Sequence, residues 1–484
     1  MKKVFYSLLI AVLGVALFTS FSFSAEIEIH FDASGDMIRY NPTPTMVKSA
    51  ANPYPTKVLR DLADEWEKLH PGVKIVFPTV PRSGDRTWVV TQLAGGTAPE
   101  IIYQNMGVYR DEDYPKGWVV AFDPYYEKPN PYVPGNKKWK DLFYTEWMES
   151  LRSADGKFYW VAPDMIPIGY IYNVDVFKKV GVKPEHTWGA LMKVFDKLKG
   201  AGYVVATMKA GGGFGGGGSW LVHPLESVLW ADKIPQMDVL RPNKIVDTEE
   251  LVRAIKKGIF SVYDPRYKEY LRLMKELTGY YQKGWITGSV DPLQLFVQGK
   301  AAVLEGVGAH VVRVKDDPLR KFPIGTFYYP DITKEDSPFG GAKTAGKGTA
   351  GYTTTWQITN SAVKKGVVDL CVDWLMYITT PKNVEKYVNE YGFNLPGVKG
   401  AKSNPIMAGF LAGMKRKPGE FYWHSLNTQF ITPELWTNFQ RVTDRYYIGE
   451  ISLEECLDQL DKWYQKAASD ALKQNEKIWD TTKW

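Results

Sequence analysis

The chain has 484 residues, of which 44% are hydrophobic and 24% are charged, and its formal net charge is +6. At roughly 100 to 200 residues per domain, this length predicts more than one hydrophobic core. The 60 basic and 54 acidic residues nearly balance, which argues against a nucleic-acid partner.

The N-terminus has the pattern of a secretory signal peptide, residues 1–24. Lys2 and Lys3 precede an apolar run, residues 4–18, and the small Ser22 and Ser24 precede a candidate cleavage site. A membrane anchor, the alternative, needs about 20 apolar residues, and this run is shorter. With no cysteine near the site to carry a lipid, we expect a protein that is periplasmic or otherwise extracytoplasmic and not a lipoprotein.

The two cysteines, Cys371 and Cys456, both lie in apolar helical contexts. Two cysteines in an exported chain exclude a disulfide framework, although they allow one bridge. Buried free thiols are the favoured interpretation, because cysteine is among the most frequently buried residue types.

The first third of the chain alternates strands with helices. Residues 26–31 alternate like a strand, 58–69 have helical apolar spacing, and 73–77 form the next strand; a helix over 85–93 and a strand over 101–103 repeat the unit. Strands separated by helices indicate a parallel sheet. A Pro- and Ala-rich loop, residues 41–55, interrupts the first unit.

Polar residues follow each of these three strands. In open parallel sheets the ligand crevice lies beyond the carboxyl ends of the strands. Each residue alone fits a helix cap or turn as well as a ligand contact, but their recurrence at three strand ends favours binding. The candidates are Asp32, Ser34 and Asp36, then Arg82, Asp85 and Arg86, then Gln104 and Asn105.

The next segment, residues 155–199, predicts two short buried strands, 157–161 and 168–172, followed by two helices. Pro163 and Pro167 predict a change of direction between the strands. Asn173 and Asp175 are candidate caps of the first helix, and Thr187 is the candidate cap of the second.

The ordered series DGKFYWVAP, YIYNVDVFKKVG and HTW in this segment resembles the family 1 extracellular solute-binding proteins of ABC importers. The stretches TQLAGGTAPEII, LQLFVQGKAAVLEGVGAHVVRV and TAGYTTTWQITNSAVKKG add to the resemblance, which covers most of residues 58–400. It implies an α/β fold of two lobes, each a mainly parallel sheet flanked by helices, joined by three hinge crossings. The expected lobes are residues 25–163 with 330–391, and residues 164–329 with 398–484.

Further candidate ligand contacts follow from the resemblance and from aromatic side chains. Aromatic faces cover the apolar side of sugar rings while polar groups bond the hydroxyls. Relatives often place an aromatic residue two positions after the equivalent of Gly306, where this chain has Gly308. Trp356 fits a strand core equally well. The candidates are Asp164, Trp220, Glu305, Tyr352, Trp356, Trp436 and Gln440.

The glycine-rich run, residues 211–218, is not a phosphate loop, because it lacks the lysine and hydroxyl residue that reach phosphate and magnesium. It fits a mobile ligand loop and a plain connector equally well. No His-Glu-x-x-His or G-x-S-x-G motif or Cys/His cluster is present. A glycosidase needs two carboxylates about 5 to 9.5 Å apart, and the sequence alone is compatible with Asp164 and Glu305 as that pair.

The resemblance favours a monomeric, non-enzymatic receptor that needs no cofactor or metal ion. It would capture a carbohydrate, and more specifically an oligosaccharide, by closure of its lobes and deliver it to a membrane permease. A polyamine, a phosphorylated polyol and an iron chelate are alternative ligands, because one fold hosts many functions. A secreted glycoside hydrolase and a sensor subunit are alternative functions.

Overall fold

The computed structural model describes residues 26–34, 40–81, 86–104, 112–148, 151–205, 220–242, 246–342, 349–414 and 433–484. The predicted signal peptide, the glycine-rich run and the candidates Asp36, Arg82, Asp85 and Asn105 lie outside these residues.

The described residues form nine strands and eighteen α-helices, together with five short 3-10 helices. The strands are β1 (Ile27–His30), β2 (Val73–Val76), β3 (Ile101–Tyr103), β4 (Asp164–Asn173), β5 (Val303–Val307), β6 (Ile324–Phe327), β7 (Thr349–Tyr352), β8 (Trp356–Ile358) and β9 (Leu395–Pro396). The first nine helices are α1 (Val58–Leu69), α2 (Arg86–Gly95), α3 (Asp123–Tyr126), α4 (Thr145–Met148), α5 (Val174–Val180), α6 (Trp188–Gly200), α7 (Val222–Leu229), α8 (Ile234–Met237) and α9 (Thr248–Lys256). The remaining nine are α10 (Pro265–Thr278), α11 (Pro292–Val297), α12 (Gly308–Asp316), α13 (Asn360–Lys365), α14 (Val368–Ile378), α15 (Pro381–Tyr391), α16 (Ala408–Met414), α17 (Pro433–Tyr447) and α18 (Leu453–Gln474).

The predicted strand-helix-strand order at the start of the chain is confirmed. Strands β1 and β2 pair in parallel, with Ile27 opposite Val73, and α1 connects them. One face of α1 is buried, including Leu59, Leu62 and Trp66, because apolar residues recur at helical spacing along it. Beyond β1, Phe31 continues the parallel arrangement through a bridge to Ile101.

Strand β4 connects two groups of strands. Its first part pairs with β7 and β9, and its second part pairs with β5 and β6. The predicted turn at Pro167 is wrong, because the chain continues through it as a single strand. The register of β4 against β7 shifts between Met165 and Pro167, and such an irregularity accommodates a proline that cannot donate to the ladder.

The prediction of mainly parallel sheets is wrong for the strands around β4. All four of its described ladders are antiparallel, and β3 also pairs antiparallel with β8. The rule that predicts parallel pairing applies to consecutive strands joined by one crossover helix. The partners of β4 come from segments far along the chain, so that rule does not fix their direction.

The two helices predicted after β4 are present as α5 and α6. The Asn173 side chain accepts hydrogen bonds from the N–H groups of Asp175 and Val176, which confirms it as the cap of α5. Gly181 ends α5 with a φ of +73°, a conformation that favours glycine. Thr187 occupies the N-cap position of α6, but its side chain makes no capping hydrogen bond.

Both cysteines are buried and unpaired, as predicted. Burial raises the pKa of the Cys456 thiol to about 12, which keeps it protonated and unreactive at neutral pH. Burial also raises the pKa of Cys371. Among the described residues, no helix combines the length and the apolar character that a membrane crossing requires.

The N-terminus of α1 is capped by a distant carboxylate, and we expect Glu390→Ala to destabilise the protein by about 1 kcal/mol. Glu390 of α15 accepts hydrogen bonds from the N–H groups of Lys57 (3.1 Å) and Val58 (3.0 Å). Lys57, the N-cap residue, provides no capping side chain of its own. Urea-induced unfolding measures the loss. The exposed Glu476→Ala is the control, and an equal effect in both variants would contradict the capping role.

Candidate functional site

Three consecutive residues connect three predicted site residues: Thr354 and Thr355 lie between β7 and β8, and Trp356 begins β8. Hydrogen bonds run from Thr354 to Asp164, from Thr355 to the backbone of Gln104, and from the Trp356 ring to the backbone of Ser34. The ends of β1 and β3, two of the three strand ends predicted to meet around a crevice, therefore converge on this segment. We call residues 354–356 and the three candidates the threonine cluster.

Asp164 is fully buried and hydrogen-bonded by the protein itself. Its Oδ1 accepts the Thr354 N–H at 2.9 Å, and its Oδ2 accepts the Thr354 hydroxyl and the Asn394 amide, both at 2.9 Å. The Tyr40 hydroxyl also donates to Oδ2. Burial raises the pKa of Asp164, while the hydrogen bonds from Tyr40, Asn394 and Thr354 oppose this shift. The carboxylate thus joins three segments to the start of β4.

The polar residues after β1 form a buried turn. The backbone N–H of Ser34 donates to Oδ1 of Asp32 at 3.1 Å, and the Ser34 hydroxyl donates to the same oxygen. The Asn41 side chain accepts from the N–H of Ala33 at 2.8 Å. Burial raises the pKa of Asp32 despite the bonds from Ser34. Asp32 and Ser34 are 3% and 2% exposed, which fits the turn-forming alternative for this pair.

Trp356 packs in the hydrophobic core, which is the alternative that its strand position allowed. The side chain is fully buried, and its ring meets the ring of Phe31 edge to face at 4.8 Å. Its indole N–H donates to the carbonyl of Ser34 at 3.2 Å. A fully buried ring with these partners stabilises the sheet edge that carries the threonine cluster.

Arg86 and Gln104 are brought together, as predicted from their strand-end positions. The Arg86 guanidinium donates to Gln104 Oε1 at 3.1 Å and to both carboxylate oxygens of Asp113, at 3.1 and 2.6 Å. It also donates to Glu112 at 2.8 Å. Burial lowers the pKa of Arg86, but Asp113 and Glu112 outweigh this effect and the net shift is upward. The guanidinium stays charged and rigidly oriented.

Tyr352 lies where β4, β7 and β9 meet. Its hydroxyl donates to the carbonyl of Gly397 at 3.0 Å and accepts the N–H of Tyr144 at 3.1 Å. A Cβ atom at Gly397 would lie 2.7 Å from the Tyr352 ring. Glycine therefore lets the chain pass close to the ring at this junction.

A second group of candidates lies at the other end of β4. Glu305 of β5 is opposite Tyr170 of β4. Glu305 Oε1 accepts the Tyr329 hydroxyl at 2.6 Å and the backbone N–H of Trp220 at 3.1 Å. Glu305 Oε2 accepts the Tyr281 hydroxyl at 3.3 Å. We call Trp220, Tyr281, Glu305 and Tyr329 the glutamate cluster.

The two candidates near the C-terminus share helix α17. The Trp436 ring stacks on the Phe439 ring at 6.0 Å with an interplanar angle of 10°. Trp436 and Gln440 are both half-buried. Their predicted spacing of one helical turn is confirmed.

Gly308 has a steric reason to replace the aromatic residue common in relatives. A Cβ atom there would lie 1.6 Å from the carbonyl oxygen of Phe393 and 2.8 Å from the Pro167 ring. The start of α12 therefore packs directly on the backbone before β9. A larger residue at this position would force these segments apart.

Asp164 and Glu305 do not have the spacing of a glycosidase pair. Tyr170, the residue opposite Glu305, lies six positions beyond Asp164 along β4. At a rise of about 3.3 Å per residue, the two backbone positions are about 20 Å apart. Glycosidase carboxylates lie about 5 to 9.5 Å apart, so this pair does not fit hydrolysis.

Comparison with known families decides the classification. A sequence model for the family described as bacterial extracellular solute-binding protein matches residues 52–418. The chain belongs to this family. A search of curated protein sequences finds no significant match.

Solved structures of low sequence identity share the fold of this solute-binding protein. Apo RafE from Streptococcus pneumoniae has a TM-score of 0.65 at 17% identity, over 92% of this chain and 99% of its own. The bacterial solute receptor AcbH has a TM-score of 0.63 at 14% identity, over 93% and 98% of the two chains. The cyclic α-maltosyl-1,6-maltose binding protein from Arthrobacter globiformis has 0.61 at 16%, over 92% and 99%. The predicted α/β fold of the family is confirmed.

Several residues that form the two clusters or bond to them were missed by sequence reasoning. Tyr40 and Asn394 donate to Asp164 from segments that the sequence places more than 100 residues away. Tyr281 and Tyr329 donate to Glu305, yet nothing in their local sequence separates them from other tyrosines. For Thr354 and Thr355 the sequence does hold a local signal, the run TTT at residues 353–355 between two strands. Within the described ranges, no group of three His, Cys, Asp or Glu side chains is arranged to hold a metal ion.

Proposed function

We propose that the chain is the extracytoplasmic substrate-binding protein of an ABC importer, exported after removal of residues 1–24. It captures a carbohydrate, specifically an oligosaccharide, and delivers it to the membrane permease as a monomer. The observation that carries this proposal is the match of residues 52–418 to the solute-binding family. The grouping of candidate residues beside the first and second parts of β4 supports it.

Capture depends on two lobes that close over the ligand. The first lobe is residues 25–163 with 330–391, and the second is residues 164–329 with 398–484; three crossings between them form the hinge. The threonine cluster is at the first-lobe end of β4 and the glutamate cluster is in the second lobe. A ligand that contacts both lobes favours the closed state by its higher affinity for that state.

The carbohydrate assignment is supported by aromatic side chains and by relatives. Trp220 and Trp436 are half-buried, so each ring has surface left for the apolar face of a sugar. A RafE structure is described as a complex with raffinose, and another neighbour as a chitin oligosaccharide binding protein. The candidates proposed for ligand contact are Asp36, Arg82, Asp85, Arg86, Gln104, Asn105, Trp220, Tyr352, Trp436 and Gln440.

Calorimetry of the mature protein tests this function. We expect saturable one-to-one binding of at least one of raffinose, stachyose, chitin oligosaccharides or maltooligosaccharides, with the sugar recovered intact by chromatography. Trp220→Ala should weaken binding at least tenfold, because losing both the stacking contact and the apolar area that it buries costs about 1.4 kcal/mol or more. Trp463→Ala, which removes a half-buried ring of α18, is the matched control and should leave affinity unchanged.

Two outcomes would overturn the proposal. Cleaved sugar in the chromatogram would identify a hydrolase. Absence of heat with every carbohydrate would remove the sugar assignment, and titration with spermidine, glycerol 3-phosphate and ferric citrate would then separate the alternative ligands.

A further inference from the structure

We propose that Glu305 is a positioning residue that fixes Trp220 for ligand stacking and does not itself contact the ligand. This inference rests on the proposed function, because it assigns Glu305 a role in the same binding site. It departs from the sequence-based prediction, in which the Glu305 carboxylate accepts hydrogen bonds from sugar hydroxyls.

The orientation of the carboxylate is the first argument. Glu305 is 1% exposed, and each of its oxygens accepts a hydrogen bond from the protein. Tyr329 and Trp220 donate to Oε1, at 2.6 and 3.1 Å, and Tyr281 donates to Oε2 at 3.3 Å. A carboxylate turned toward donors inside the protein acts on the structure around it and has little surface for a ligand.

The attachment of Trp220 is the second argument. Trp220 lies in the turn that leads into α7, whose N-cap is Leu221. Its backbone N–H bonds to Glu305, and its half-buried ring lies 5.7 Å from the buried ring of His223. The hydrogen bond ties this turn to β5, while Tyr281 and Tyr329 hold the carboxylate from two other segments. The position of the indole ring therefore depends on Glu305.

A double-mutant cycle separates positioning from direct contact. Glu305→Met keeps the side-chain length but removes the acceptors, and we expect it to weaken sugar binding about tenfold. Glu305→Gln keeps one oxygen acceptor for Trp220 and Tyr329 and should stay within about threefold of the unmodified protein. In a Trp220→Ala background, Glu305→Met should cause no further loss beyond about twofold, because no ring remains to be positioned. Equal losses in both backgrounds would show direct contact and overturn the inference.

Two tyrosine variants keep the test decisive if Glu305→Met fails to fold. Tyr329→Phe removes the 2.6 Å hydrogen bond to Glu305 and should weaken binding about threefold to tenfold. Tyr170→Phe is the matched control, because Tyr170 is buried opposite Glu305, yet its hydroxyl has no hydrogen-bond partner within the described residues. It should leave affinity unchanged. Equal effects of the two variants would contradict the proposal.

Fluorine NMR provides a readout that needs no ligand. In protein labelled with 5-fluorotryptophan, the Trp220 resonance is assigned by its loss in Trp220→Phe. We expect that resonance alone to shift or broaden in Tyr329→Phe and Glu305→Met, and to remain in place in Tyr170→Phe. An unmoved resonance would overturn the positioning role even if sugars bind. Failure of every sugar to bind would overturn only the proposed function, because the spectrum still tests the link between Glu305 and Trp220.

Discussion

Replacing Asp164 by alanine is expected to lower the free energy of unfolding by about 3 to 5 kcal/mol. The substitution leaves buried donors on Tyr40, Thr354 and Asn394 without the acceptor they now share. Each unsatisfied buried polar group costs about 1 to 3 kcal/mol, and effects within one network are not additive. Urea-induced unfolding, followed by circular dichroism and tryptophan fluorescence, measures the loss.

Two further variants, with smaller expected losses of stability, test this prediction. Asp164→Asn should lower the free energy of unfolding by about 1 to 2 kcal/mol. The asparagine carbonyl can replace one carboxylate oxygen, but its NH2 group would face a donor that the other oxygen now accepts. Asp470→Ala, at a partly exposed carboxylate paired with Lys466, should change stability by less than about 0.5 kcal/mol, as surface ion pairs contribute little. A loss below 1 kcal/mol in Asp164→Ala would show that the network around it does not stabilise the fold.

Local features of the fold were predictable because nearby residues determine them. The apolar spacing of α1 and the Asn173 cap of α5 act within one or two helical turns, and both are present. The continuity of β4 through Pro167 was not predictable. It depends on strands whose sequences lie more than 130 residues further along the chain, and local proline rules favour a break there.

The candidate site was predictable in its parts but not in its connections. Polar residues at strand ends were identified from the strand pattern, and the structure brings Arg86 together with Gln104. The buried setting of Asp164 and Glu305 depends on donors from distant segments, so both resembled ligand contacts in the sequence. Carboxylates that bond to sugar hydroxyls and carboxylates that bond to buried donors share the same sequence signal.

The stability of the protein is expected to fall as the pH rises from 5 to 8, through ionisation of Glu250 in α9. Burial, followed by the charge of Asp247, raises the pKa of Glu250 to about 7, well above the value near 4.5 of an unfolded chain. Below pH 4.5 both states bind the proton and the contribution is fully present. Above pH 7 the folded state must ionise a carboxyl that the unfolded chain ionises readily. The expected loss is about 2 kcal/mol, measured by urea-induced unfolding across this range.

Substitutions around Glu250 identify the group responsible. Glu250→Gln should abolish this part of the pH dependence while lowering stability, because an amide cannot replace both oxygens that accept the N–H groups of Leu240, Arg241 and Asp247. Asp247→Asn keeps the capping oxygen of α9 and removes the neighbouring charge. It should reduce the dependence without abolishing it, since burial is the larger cause. A pH profile that is unchanged in Glu250→Gln would assign the loss of stability to another group.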